Sequence, residues 1–201
     1  AGVTALDARV VLDPGAAPAA GLTYDHLALH PYPEELVRRV DLEGFPLLLR
    51  PIKPEDEPLW MDMLGACSRE TLYARFRYLF QWAIHEVATR FCHIDYAREI
   101  AIVAERTENG TRSLVGVGRL VADPDGASVE YAVLVRDEWQ NRRLGSLLTD
   151  TCIEIARRRG FRRMVAQTTP DNHRMIAVFR RRGFDVHPDP DGALVEVERT
   201  L

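Results

Sequence analysis

The 201-residue chain sets 26 lysines and arginines against 30 aspartates and glutamates, a formal net charge of −4. That length buries one sizeable core with room for an appendage, and the acidic balance excludes a general nucleic-acid binder, which needs a basic excess. Cys67, Cys92 and Cys152 are odd in number and far apart, so no disulfide framework or zinc spacing is present, and no apolar run nears the roughly twenty residues that cross a bilayer.

In chain order, residues 1–13 read as a strand and Pro14 to Gly21 as a small-residue linker. A short helix is expected over Glu34 to Val40, and residues 1–43 together form an N-terminal extension. The domain proper, 44–201, opens with a strand at Pro46 to Ile52. Lys53-Pro54-Glu55-Asp56-Glu57 then starts a helix that runs to Gly65, with acidic residues in its first turn as the helix dipole prefers. Ser68-Arg69-Glu70-Thr71 starts a second helix through Phe76, and Ile84 to His93 form a third. Strands are expected at Ile100–Glu105, Ser113–Ala122 and Ser128–Val135. Asn109-Gly110 and Pro124-Asp125-Gly126 are turn signals between them, so these strands form an antiparallel meander. Helices over 142–159 and 172–182 flank a strand at 162–168, and strands near 184–187 and 193–199 close the chain. The whole reads as a mixed α/β sheet flanked by helices.

The most informative stretch runs from Val133 to Leu148. A branched apolar strand stops at Arg136-Asp137-Glu138-Trp139, the basic loop Gln140-Asn141-Arg142-Arg143 follows, and a helix begins near Leu144-Gly145-Ser146. The first turn of a helix has unpaired N–H groups and the positive end of the dipole, so this junction suits a phosphate or pyrophosphate. Arg142 and Arg143 add charge and forked donors.

Gln140-x-x-Arg143-x-Gly145 resembles the Q/R-x-x-G-x-G/A signature of the GNAT N-acetyltransferases, which cradles the pyrophosphate of acetyl-CoA. Arg143 stands where the family has its first glycine. It must either keep a conformation open to ordinary residues or replace an amide contact with its guanidinium. Downstream, Pro170-Asp171-Asn172-His173-Arg174-Met175 through Gly183-Phe184 resembles the family's P-x-N…G-F helix, with Asp171 or Asn172 as its cap. The strings Leu49-Arg50-Pro51-Ile52 to Trp60 and Ser68 to Phe76 are similar to the GNAT domains of bacterial protein acetyltransferases. In some of those, an NDP-forming acyl-CoA synthetase-like region precedes the GNAT domain, and Gly2-Val3-x-Ala5-Leu6-Asp7-Ala8-Arg9 looks like the tail of such a region.

The resemblance implies a GNAT fold in which two parallel strands splay and the pantetheine arm lies in the gap. Its amides would meet the backbone of Val133, Leu134 and Val135, and its pyrophosphate the segment Gln140, Arg142, Arg143, Leu144, Gly145 and Ser146, with Asn172 bonding the arm or capping its helix. Glu130 matches the glutamate of the protein-acetylating relatives and is expected to act as general base, because a lysine amine with a pKa near 10.4 must lose a proton to attack. Glu99, Glu105 and Glu138 are fallback carboxylates. Phe179 stands where many relatives have a proton-donating tyrosine, and Tyr131 or a water could take that role. The arginine clusters 157–159, 162–163 and 180–182 are read as solvated helix ends, some of which could meet the adenosine 3′-phosphate.

The expected function is acetyl-CoA-dependent acetylation of lysines on proteins in the cytoplasm, AMP-forming acyl-CoA synthetases among them. The expected partners are acetyl-CoA, a protein with an exposed lysine and an upstream synthetase-like domain, with no metal, nucleic acid or membrane. Acetylation of a small amine, or acyl-CoA sensing without transfer, are the alternatives.

Overall fold

The computed structural model describes residues 30–76, 85–124 and 126–201. The strand expected over 1–13 and the linker over 14–21 lie outside them, as do Ile84 and Asp125. Where a helix is expected over Glu34 to Val40, only a 3-10 turn forms at Glu34–Leu36, and the chain then enters a strand, β1 (Arg38–Leu42). Here Val40 and Leu42 face inward while Arg39 and Asp41 face water, a period of two that suits a strand. Glu43 and Gly44, both with positive φ (56° and 85°), turn the chain back so that β1 pairs with β2 (Phe45–Pro51) from Leu42 opposite Phe45 to Arg38 opposite Leu49. The sheet therefore extends upstream of residue 44. Long-range pairing overrides the helical bias of Glu34-Glu35-Leu36.

The meander forms as the turn signals dictate: β3 (Glu99–Glu108), β4 (Thr111–Ala122) and β5 (Ser128–Val135) are antiparallel neighbours. Asn109 and Gly110, at φ 50° and 80°, make the first connection. β6 (Arg163–Thr168) pairs in parallel with β5. The last two strands, β7 (Asp185–Pro188) and β8 (Val195–Thr200), are antiparallel, and β8 inserts between β6 and β7. The eight strands lie in the order β1-β2-β3-β4-β5-β6-β8-β7. A single parallel pair thus sits within an otherwise antiparallel sheet.

Helices cover both faces. On one lie α1 (Glu57–Gly65), α2 (Arg69–Phe76) and α3 (His85–Cys92), whose Trp60, Met63, Leu64, Phe76 and Ala88 pack on Ala101, Val103, Val117 and Leu134. On the other lie α4 (Leu144–Arg158) and α5 (His173–Arg180), whose Leu144, Leu148, Ile176 and Phe179 pack on Ile100, Ile102, Val115 and Tyr131. Each such fully buried apolar side chain contributes about 1.5–3 kcal/mol through burial.

Two features fix how these layers meet the sheet. Gly116 and Gly118 form the floor under α4. A Cβ at Gly118 would meet Cys152 Sγ at 2.9 Å, and one at Gly116 would meet Leu144 Cδ2 and Leu148 Cδ1 at 3.2 Å. The close helix-to-strand approach therefore needs both glycines. On the opposite face the buried Arg50 joins two buried carboxylates. It reaches Asp56 through paired bonds of 2.6 and 2.8 Å and Glu105 through bonds of 2.6 and 3.0 Å. Burial opposes the guanidinium charge, but these two carboxylates outweigh it and hold the pKa above the ordinary arginine range.

Candidate active site

The ladder between β5 and β6 is short. It pairs Ser128 with Arg163, Val129 with Met164 and Glu130 with Val165, and then ends. Beyond that point β5 continues to Val135 with a free edge. Two bonds show which backbone groups line it. Arg136 N–H donates to the Val115 carbonyl at 3.1 Å, and Asp123 N–H to the Ser128 carbonyl at 3.0 Å. Even-numbered residues of β5 thus turn their backbone toward β4, and by strand alternation Tyr131, Val133 and Val135 turn theirs into the split. Leu134 turns its carbonyl away, toward Gly116 on β4. Its side chain belongs to the α1–α3 core.

Past Val135 the chain makes a 3-10 turn at Asp137–Trp139 and a tight loop, in which Asn141 and Arg143 both have φ 62°. Arg143 does not keep a conformation open to ordinary residues. Its backbone is left-handed (φ 62°, ψ 2°), a conformation that favours glycine. Its side chain is 82% exposed and lies 3.8 Å from Glu43. The first hydrogen bond of α4 runs from Leu147 N–H to the Arg143 carbonyl at 2.9 Å. That leaves the N–H groups of Leu144, Gly145 and Ser146 with no intrahelical acceptor. The space above Gly145 is bare, with Val135 Cγ2 at 3.9 Å the nearest atom to an added Cβ. A cavity of about 750 Å³ follows the split from Glu130 to this helix start. Its far wall is α5 and the segment Gln167 to Thr169, and α2 closes the third side with Thr71 and Ala74.

The structure places the sequence-predicted residues unevenly around this cavity. Glu130 lies at the crotch of the split and is exposed. Val133, Val135, Gly145, Ser146 and Arg143 line the walls. Gln140 also lines it, but its amide turns to the protein and shares donors among the Val135 carbonyl, Asp137 and Thr71 at 3.0–3.3 Å. Arg142 stacks over the rings of Phe45 and Trp139, with centroids at 5.3 and 5.6 Å, and the side chain of Leu144 is buried beneath the loop. Asn172 caps α5, its Oδ1 accepting from Met175 N–H at 3.1 Å.

Tyr131, the side chain expected as an alternative proton donor, is buried. Its phenol is sealed under α4, bonded to Thr149 Oγ1 at 3.0 Å, while Thr149 donates onward to the Gly145 carbonyl at 2.6 Å. The phenol proton is therefore committed to Thr149, and burial pushes its pKa well above the ordinary tyrosine range. Phe179 packs edge-on against that ring. The fallback carboxylates are engaged as well: Glu99 with Arg119, Glu105 with Arg50, and Glu138 with Arg136. Burial pushes the Cys67 and Cys92 thiols up to about 12 and the Cys152 thiol higher still, so none is an activated nucleophile. Of the arginine clusters, Arg159 donates to the Tyr96 carbonyl, Arg163 pairs with Glu198, and Arg182 grips Asp150. Arg174 and Arg181 reach the cavity. Among the described residues no group of three His, Cys, Asp or Glu side chains is arranged to hold a metal, and no helix is long and apolar enough to cross a membrane.

Sequence reasoning missed Ser68, Thr71 and Asp137 as site residues, and it missed the glycine floor. The Gly116-x-Gly118 pair inside a strand was a usable signal of close approach. The polar residues carried none, since their meeting depends on contacts 66 to 69 residues apart.

A mixed sheet opened at its one parallel pair, with a helix start free to receive an anion at the mouth, is the architecture of an acyl-CoA-dependent transferase. The model of the acetyltransferase (GNAT) family matches residues 61–184, and the chain belongs to that family. It is therefore an acetyltransferase of the GNAT fold, a family whose enzymes use acetyl-CoA. The solved GNAT domain of the S. lividans protein PAT superposes with a TM-score of 0.75 at 27% identity, over 85% of this chain and all of that one. Among curated relatives, acetyltransferase PA5475 of Pseudomonas aeruginosa is 29% identical over 78% of this chain and 84% of its own length. Acetyltransferase Pat of Mycolicibacterium smegmatis is also 29% identical over 67% of this chain, but the match spans only 40% of that longer protein.

Proposed function

We propose that this chain transfers the acetyl group of acetyl-CoA to the ε-amino group of a protein lysine, with AMP-forming acyl-CoA synthetases among its targets. The observation that carries the reading is the split between β5 and β6, with a carboxylate at its closed end and free amides at its mouth. The likeness to the Pat proteins supports a protein acceptor.

In this reading the diphosphate meets the N–H groups of Leu144, Gly145 and Ser146, where the helix dipole favours negative charge. The bare space over Gly145 admits it, and Arg143, Arg174 and Arg181 draw it in. The pantetheine amides pair with Val133 and with the Val135 N–H along the free edge of β5, as a strand would. That leaves the thioester toward Glu130. The lysine amine attacks the carbonyl carbon, its proton passes to the Glu130 carboxylate directly or through a water, and the C–S bond breaks to release the CoA thiolate. With Tyr131 sealed and Phe179 unable to donate, the thiolate leaves without a side-chain acid. No cysteine is reactive enough for an acyl-enzyme, so attack is direct.

Incubation with labelled acetyl-CoA and a panel of purified proteins and small amines tests the acceptor. Label should accumulate on protein lysines, and label confined to small amines overturns the reading. Glu130→Gln should lower turnover about 10²- to 10⁴-fold, the range of general-base catalysis, while leaving the CoA dissociation constant unchanged. Unaltered turnover at saturating substrates removes Glu130 from the mechanism.

A further inference from the structure

The acceptor side of the cavity is walled by α2, and the way α2 is held is unusual for a wall. Its C-terminal end is anchored in the core, where Phe76 is buried and meets Phe91 edge-on at 5.7 Å, and one turn earlier the half-buried Leu72 packs on the same cluster. Ahead of Leu72 the helix start is more open. Arg69 and Glu70 are exposed, and Thr71 is only half-buried. What fixes that turn is polar and comes from the segment that feeds the anion loop. Asp137 accepts Ser68 N–H at Oδ2 (2.6 Å) and Thr71 Oγ1–H at Oδ1 (2.5 Å). Ser68 Oγ accepts Thr71 N–H at 3.2 Å and donates to Thr71 Oγ1 at 3.1 Å, so Ser68 is the internal cap and Asp137 an external one. The carboxylate also stands at the positive end of the α2 dipole. Gln140, the first residue of the anion loop, completes the set through Thr71 Oγ1, Asp137 Oδ1 and the Val135 carbonyl.

We infer that Asp137 is a positioning residue that clamps the first turn of α2 to the acetyl-CoA loop, so that acyl-donor binding at the loop orders the acceptor wall of the cavity. The inference rests on the acetyl-CoA reading above. The geometry favours it because one carboxylate receives donors from the start of α2 and from Gln140. Ordering of the loop thereby reduces the freedom of the α2 turn, and an acceptor meets a pre-formed wall only when the donor is in place. Asp137 touches neither reacting group. Its effect passes through Thr71 and Gln140.

Hydrogen exchange of the full chain, with and without saturating CoA, tests the clamp. In the wild type, CoA should slow exchange both at 143–147 and across 69–76. In Asp137→Ala, CoA should still protect 143–147, but α2 should exchange about tenfold faster than in the wild type, roughly the factor of a lost helix cap, and should gain no protection from CoA. Asp137→Asn, which keeps one acceptor oxygen, should recover part of the α2 response. Circular dichroism melting of both variants monitors the fold. Loop protection in the wild type with no response in α2 overturns the inference and leaves the acetyl-CoA reading intact, as does CoA protection of α2 that survives in Asp137→Ala. An absence of loop protection in the wild type overturns both. Should Asp137→Ala fail to fold, Thr71→Val, which removes one donor and leaves the cap, carries the same comparison.

Discussion

On one face of the sheet α4 lies against bare backbone at Gly116 and Gly118, while on the other α1 to α3 are tied down by a buried guanidinium and a set of hydroxyls and carboxylates. The first layer is close-packed, and it presents the helix start that faces the anion end of the cavity. Such contacts have one good geometry and resist displacement. The second layer mixes a core of apolar side chains with directional polar ties, and it presents the cavity wall that carries Thr71 and Ala74. Directional bonds can be broken and remade singly, so this layer can respond where the other holds still. The contrast assigns rigidity to the donor side and adjustability to the acceptor side.

The largest break in that contrast is Arg50→Ala. It leaves the buried Asp56 carboxylate without its cation and Glu105 with only the exposed Arg112 at 3.8 Å, and a loss of about 3–5 kcal/mol in denaturant unfolding is expected. A change no larger than that of a surface ion pair would show that the polar layer does not depend on this cluster. Next is Gly118→Ala, which sets a methyl 2.9 Å from Cys152 Sγ and should lower stability by about 1–3 kcal/mol. Cys152→Ala in the same chain should return much of that loss, because it removes the atom that is struck. Failure of the pair to compensate would mean that α4 is not the rigid element. The smallest effect sharpens the description of the anion loop. Because Arg143 holds a left-handed backbone with an exposed side chain, Arg143→Gly should be more stable than Arg143→Ala by about 1 kcal/mol in thermal unfolding. Equal stabilities would indicate that the loop has relaxed from this conformation in solution.

Much of the fold was legible because its signals are local. Asn109-Gly110 dictates a tight hairpin, the branched run at β5 dictates a strand, and Asn172 caps the helix it precedes. The expected helix over Glu34 to Val40 failed for the opposite reason. Its residues tolerate a helix, and pairing with β2 decided otherwise. At the site, the family resemblance led to Gly145, Val133 and Glu130, which all line the cavity, because the strand-to-helix junction is contiguous in sequence. The side chains of Gln140, Arg142 and Tyr131 were not legible in this way. Each is satisfied by a distant partner, respectively Thr71, Phe45 and Thr149.

From residue 44 onward the residues alone determined the order of strands and helices, the turns between them and the place of the helix start at Leu144. Each of those follows from backbone preferences within a few positions. Only the tertiary structure decided where the β5–β6 ladder ends, which backbone edge stays open, that Tyr131 is sealed, and that Asp137 reaches α2. Those outcomes depend on how far two strands separate and on which side chains meet across 18 to 69 residues of chain, and no local preference encodes such a meeting.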